Sequence, residues 1–207
     1  MTTWAEHERT SLLDAMAELG PDAPTLCEGW QTKDMAAHIY VRERRPDAAL
    51  GVLPLGPLSA YTDRVMASAL RTIGFEEILR RMRHVPVHLR FGPLDAAINT
   101  VEYFVHTEDV RRPNAMPARD LPDDFERTIW RRLSKQARLS FRRVGAEVTL
   151  VPTIGEPVTV GSGERLEVHG RPSELMLLAY NRKDAAKVDL MGSTSAVEKL
   201  QNATLGL

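Results

Sequence analysis

Glu102 and His106 stand four residues apart inside a stretch, Asn99-Thr-Val-Glu-Tyr-Phe-Val-His-Thr-Glu-Asp-Val-Arg-Arg112, whose apolar spacing is that of a helix. Leu94, Ala97, Ile98, Val101 and Val105 recur at i, i+3, i+4 and i+7. On such a helix Glu102 and His106 stack one turn apart at the edge of the inward face, with Asn99 and Asp109 extending that polar edge. A carboxylate and an imidazole this close to a core need a partner. Two partners are open at this point. One is a shared divalent cation, because ligands at i and i+4 on a rigid helix are preset to grip one ion. The other is a plain Glu–His ion pair, common at this spacing.

The rest of the chain sets the context. Its 207 residues suffice for one large or two small domains. A net charge of −1 gives no general attraction to nucleic acid or an anionic membrane. No apolar run approaches the roughly 20 residues of a membrane helix. The opening Met1-Thr-Thr-Trp-Ala-Glu-His-Glu-Arg9 lacks the basic-then-apolar order of a signal peptide. A single cysteine, Cys27, cannot form an internal disulfide, and the expected location is the cytoplasm.

In chain order, Trp4 to Leu19 predicts an amphipathic helix stopped by Gly20-Pro21. Pro24 to Trp30 is a loop, with Trp30 as its anchor, and Thr32 is an N-cap for a helix to about Arg45, ended by Pro46. On that helix His38 shares an inward face with Met35, Ile39 and Arg42. Gly51 to Pro57 is a connection, and helices follow at about Ser59–Arg71 and Phe75–Arg83. After the Glu102/His106 helix, Pro122 opens another to about Arg142. Helices in series describe an up-and-down bundle. From Gly145 the pattern changes to strands at 147–152, 157–160, 165–169 and 186–191, with helices at 173–180 and 195–201. The class is α+β, divided into residues 1–143 and a small unit at 144–207, expected to pack on the bundle because a unit of about 60 residues buries little alone.

A third protein ligand would turn the helical pair into a metal site. His38 is the candidate, since it faces inward from another helix. Two imidazoles and a carboxylate suit zinc, nickel or iron and leave a position open. A core histidine bonded to backbone is the plainer account of His38. His84 and His88 are separated by Pro86, which spoils a helix, and His169 ends a strand. Arg42 and Arg45, one and two turns beyond His38, either solvate a helix end or rim a cavity and hold an anion. Cys27, with no activating base nearby in sequence, is structural.

Three segments then carry a resemblance: Pro24-Thr-Leu-Cys-Glu-Gly-Trp-Gln-Thr-Lys-Asp-Met-Ala-Ala-His38, Arg42-Glu-Arg-Arg-Pro46 and Glu102-Tyr-Phe-Val-His-Thr-Glu-Asp-Val-Arg-Arg112. The chain resembles the actinobacterial family of metal-binding proteins related to mycothiol-dependent maleylpyruvate isomerase, within the DinB-like bundle superfamily. The resemblance implies an N-terminal DinB-like bundle followed by a sterol-carrier-like α+β domain. It implies zinc held by His38, Glu102 and His106, mycothiol as thiol cosubstrate, and an arginine of the second domain, nearest Arg182, close to the reaction. Arg42 and Arg45 would then bind the carboxylates of thiol or substrate, and Asp109 would either orient His106 or stand as a solvent-facing acid at the helix end. The expected function is a thiol-dependent isomerase or S-transferase acting on a small, electrophilic, anionic substrate, as a monomer or homodimer. A hydrolase using a metal without thiol and a non-enzymatic metal- or ligand-binding module are the alternatives.

Overall fold

The computed structural model describes residues 3–44, 57–84 and 93–206. Arg45, residues 51–56, Pro86 and His88 lie outside them, as do the side chains of Leu94, Ala97 and Ile98. Among the described residues the chain forms eight α-helices and one four-stranded sheet, the mixed α+β class expected. They sort into two compact units, Met1–Ala118 and Arg119–Leu207. No helix among the described residues is long and apolar enough to cross a membrane.

The first unit holds α1 (Trp4–Leu19), α2 (Thr32–Arg44), α3 (Pro57–Thr72), α4 (Phe75–Met82), α5 (Pro93–Arg111) and a 3₁₀ turn at Arg112–Asn114. Thr3 and Glu6 start α1 with a reciprocal capping box: Glu6 N–H donates to Thr3 Oγ1 (3.2 Å) and Thr3 N–H to Glu6 Oε2 (2.8 Å). Thr32 is not the cap of α2 but its first residue. Its hydroxyl donates to the Gly20 carbonyl, and the Gln31 N–H is taken instead by Asp34 Oδ2 at 2.9 Å. An acid at the third helical position thus supplies the reciprocal half of a capping box, accepting from the N–H of the residue before the helix.

α1 lies along α5, while α2 packs on α3 and α4. Leu12, Met16, Met35, Ile39, Ile78, Met82 and Tyr103 form the centre of one core, each worth roughly 1.5–3 kcal/mol of burial. Inside it lies a charged node. Arg9 Nε and Nη2 donate to the two oxygens of Glu43 at 2.7 and 2.8 Å, and Tyr103 O–H donates to Glu43 Oε1 at 2.9 Å. Arg9 is 5% exposed, Tyr103 2% and Glu43 0%. Three helices, α1, α2 and α5, are thereby pinned at one point.

The second unit holds α6 (Asp123–Ser140), β1 (Glu147–Pro152), β2 (Val158–Val160), β3 (Arg165–Gly170), α7 (Pro172–Ala179), β4 (Asp189–Gly192) and α8 (Thr194–Asn202). The sheet order is β2-β1-β3-β4, with β1 and β3 parallel and the outer pairs antiparallel. Alternate residues Val148, Leu150, Leu166 and Val168 are fully buried, and α6 and α7 pack together on the sheet. The second compact unit begins at Arg119, ahead of α6. The stripe Phe125, Ile129, Leu133 and Ala137 of α6 is buried in the second unit's core, and the buried Glu126 accepts from Ser173 N–H and Oγ (both 2.8 Å) at the start of α7. The last strand is shorter than expected. Ala185 and Ala186 fold back with their N–H groups on Arg182 O, so pairing with β3 begins only at Asp189.

Two outcomes check these contacts. Arg9→Met or Glu43→Gln alone should cost about 3–5 kcal/mol by chemical denaturation, since each leaves a buried partner unpaired, whereas Arg9→Met/Glu43→Met should cost less than the sum. Gly155, between β1 and β2, has φ +110° and a Cβ there would sit 2.4 Å from Trp130 Cδ1. Gly155→Ala should cost about 1–3 kcal/mol and shift the Trp130 fluorescence.

Candidate metal centre

From Asn99 to Val110, every residue of α5 is buried except Glu102 and His106. The i, i+4 pair is therefore the single open edge of an otherwise enclosed helix segment. α2 is enclosed in the same way: from Met35 to Glu43 only Tyr40 and Arg42 are partly exposed, and His38 is buried. Side chains join the two helices. The rings of His38 and His106 meet edge-to-face at 5.3 Å between centroids, and Trp30 covers His38 at 5.1 Å.

His38, Glu102 and His106 each offer a ligand atom, and these atoms lie within 4.8 Å of one another. Modest side-chain rotations bring such a set onto an ion with bonds of about 2.0–2.2 Å. The chemistry of the donors fits a divalent cation. Burial first, then the nearby His106 and Arg42, push the His38 imidazole down from 6.5 to about 3, so it presents a neutral nitrogen lone pair.

His106 has its own support. Its Nδ1 lies 3.1 Å from Oδ2 of Asp109, a fully buried carboxylate that also accepts the Cys27 thiol at 3.3 Å. With the proton on Nδ1, Nε2 keeps its lone pair. The Leu26 N–H donates to Asp109 O at 2.9 Å, fixing the loop before α2 on this end of α5. Cys27, His106 and Asp109 form a second group whose ligand atoms lie within 4.8 Å of one another, sharing His106 with the first.

The arginines fall differently. Arg42 Nη2 is 2.5 Å from Glu102 Oε2 and donates to Asn99 Oδ1 at 2.8 Å, so its charge already has a partner. Arg45 lies outside the described residues. Arg182 belongs to the second unit, where its Nη1 donates to Tyr180 O at 2.6 Å just after α7. Sequence reasoning missed the Arg9–Glu43 pair beneath the site. The available signal was an arginine three and four residues before Leu12 and Leu13, and a glutamate four after Ile39, charges set in apolar stripes.

No family model matches the chain, and no curated protein matches it. Its fold is similar to the crystal structures of the mycothiol-dependent maleylpyruvate isomerase (14% identity, TM-score 0.54) and of a histidine-to-alanine mutant of that enzyme (13%, 0.56). Each likeness covers 91% of this chain and 96% of the other, and at this identity it is a likeness of fold.

His38 gives the site a pH signature. Its folded value of about 3 lies below the ordinary 6.5, so between them the unfolded chain holds a proton that the native one does not. The stability it preserves is complete above 6.5 and declines as pH falls toward 3. Metal-free wild type should lose stability in urea as pH falls below 6.5, and His38→Gln should lose it less steeply. Parallel slopes for the two would contradict the burial of a neutral imidazole.

Proposed function

We propose that His38, Glu102 and His106 hold a divalent ion, zinc in the first instance, and that the chain is a thiol-dependent metalloenzyme. The observation that carries this is the mutual approach of the three ligand atoms to within 4.8 Å at the open edge of two enclosed helices. The likeness of fold to a mycothiol-dependent isomerase supports it. On this reading the first unit is a DinB-like bundle, the second a sterol-carrier-like domain, and the setting is a reducing compartment.

Bound there, the ion supplies a Lewis acid that favours the thiolate of a small thiol, mycothiol by analogy, at neutral pH. The chain's own groups do the rest. His38 offers a neutral nitrogen beneath the cover of Trp30, which keeps bulk water from that side. Asp109 holds Nδ1–H of His106 and so fixes which ring nitrogen faces the site. Glu102 contributes the one negative charge of the ligand set. The thiol sulfur adds to an electrophilic carbon of a small anionic substrate. The thiol's proton passes to solvent as the C–S bond forms, and the electron pair of the substrate's double bond moves onto its carbonyl as an enolate. After bond rotation that pair either re-forms the double bond and expels the thiolate, an isomerisation, or takes a proton from solvent so that the S-conjugate is released. Arg42 and Arg45 are the cations for carboxylates of thiol and substrate.

One observation favours a second reading, a non-enzymatic binding module: Glu102 is already neutralised by Arg42, as in a site that needs no ion. Metal content separates the two. Untagged protein refolded with zinc should carry about one equivalent by elemental analysis, and His38→Ala less than about a tenth, with helical circular dichroism retained because open-site metals do not hold a bundle together. Mycothiol should bind the zinc-loaded form by calorimetry and not the metal-free one. A wild type with under about a tenth of an equivalent ends the metal reading, and full zinc with no thiol binding leaves the module.

A further inference from the structure

Arg42 sits where a metal-dependent anion site would least want it at rest. Its Nη2 is shared between Glu102 Oε2 at 2.5 Å and Asn99 Oδ1 at 2.8 Å, and its Cζ lies 5.9 Å from the centre of the Tyr103 ring. The ion-paired side chains are 17% and 20% exposed, so water screens them only in part. The guanidinium thus occupies an oxygen of the single carboxylate among the three candidate ligands, and the two charges cancel.

A divalent ion on the same carboxylate changes that balance. It draws on the electron density that Arg42 now shares, and it places two positive charges beside a third. Like charges at this range repel strongly where screening is incomplete. The guanidinium has no other acid to turn to among its described contacts: Glu43, next in the chain, is engaged by Arg9 and Tyr103. Its remaining contacts, the Asn99 oxygen and the Tyr103 face, are uncharged and keep it at the site.

We propose that Arg42 is a resident counter-ion which metal loading evicts from Glu102, and that the freed guanidinium, still held by Asn99 and Tyr103, binds a carboxylate of the small anionic substrate. This rests on the metal reading above and adds an order to it: metal first, anion second. Arginine suits the task because its planar fork takes a carboxylate with two parallel N–H donors. By linkage, metal and anion each raise the other's affinity by one common factor.

The test is zinc affinity by chelator competition on the full chain, for wild type and Arg42→Gln, with and without saturating acetate at matched ionic strength. In wild type, acetate should tighten zinc at least about fivefold, and zinc should tighten acetate by the same factor. Without acetate, Arg42→Gln should bind zinc more tightly than wild type, because the competitor is gone, and the effect of acetate should shrink toward none. Glu102→Gln gives a readout that needs no metal. It loosens Arg42, so the metal-free variant should bind acetate at least about fivefold more tightly than metal-free wild type. Zinc affinity that is unchanged or weaker in Arg42→Gln overturns the proposal, as does an acetate effect of equal size in both proteins. If wild type takes up no zinc, the metal reading falls and this inference with it. If wild type binds one zinc and the Arg42→Gln affinity does not rise, only the inference falls.

Discussion

The Arg9–Glu43–Tyr103 node is the contact on which the first unit's arrangement turns. A carboxylate with no exposure is tolerable only because a guanidinium meets both its oxygens and a phenol meets one. The node is also a registration pin. Glu43 lies little more than a turn beyond His38 on α2, and Tyr103 lies between Glu102 and His106 on α5. Hydrophobic packing alone would let two such helices slide with small loss. Directional hydrogen bonds at a buried charge do not, so the imidazole of α2 meets the open edge of α5 at one height.

Around that pin the polar groups form two linked shells of opposite character. On one side Arg42 answers Glu102 with positive charge; on the other Asp109 answers His106 with negative charge. The first contact occupies the Glu102 carboxylate and the second orients the His106 ring. Cys27 belongs to the second, its thiol donating to Asp109 Oδ2. The loop that carries it, through Leu26 and Trp30, ties the start of α2 to the end of α5 and closes over His38.

Much of this was legible in the chain. The span of α1 is set by local signals at both ends, Thr3 with Glu6 and then Gly20, and sequence reading finds it to the residue. His38, Glu102 and His106 stand out because imidazoles and carboxylates in apolar stripes are rare without a reason. The amphipathic stripe of α6 predicts its existence but not its partner. An apolar face is equally ready to pack on helices or on a sheet, and only the tertiary contacts through Glu126 and Ser173 assign it to the second unit. The partners of Arg42 escape sequence reading for a similar reason. Its spacing from His38 marks a common face, whereas its actual partners, Asn99 and Glu102, lie more than fifty residues on, where no local period reaches.

The enclosure of α5 bears on how a chain of this shape can change its trade. A helix segment walled in at every position but two cannot accept new side chains elsewhere without repacking its neighbours. Between Asn99 and Val110, variation that alters the chemistry while sparing the scaffold has only the sites of Glu102 and His106 to work with. Descendants of such a fold would diversify by exchanging that pair, and the arginine opposite it, far more readily than by remodelling anything behind them.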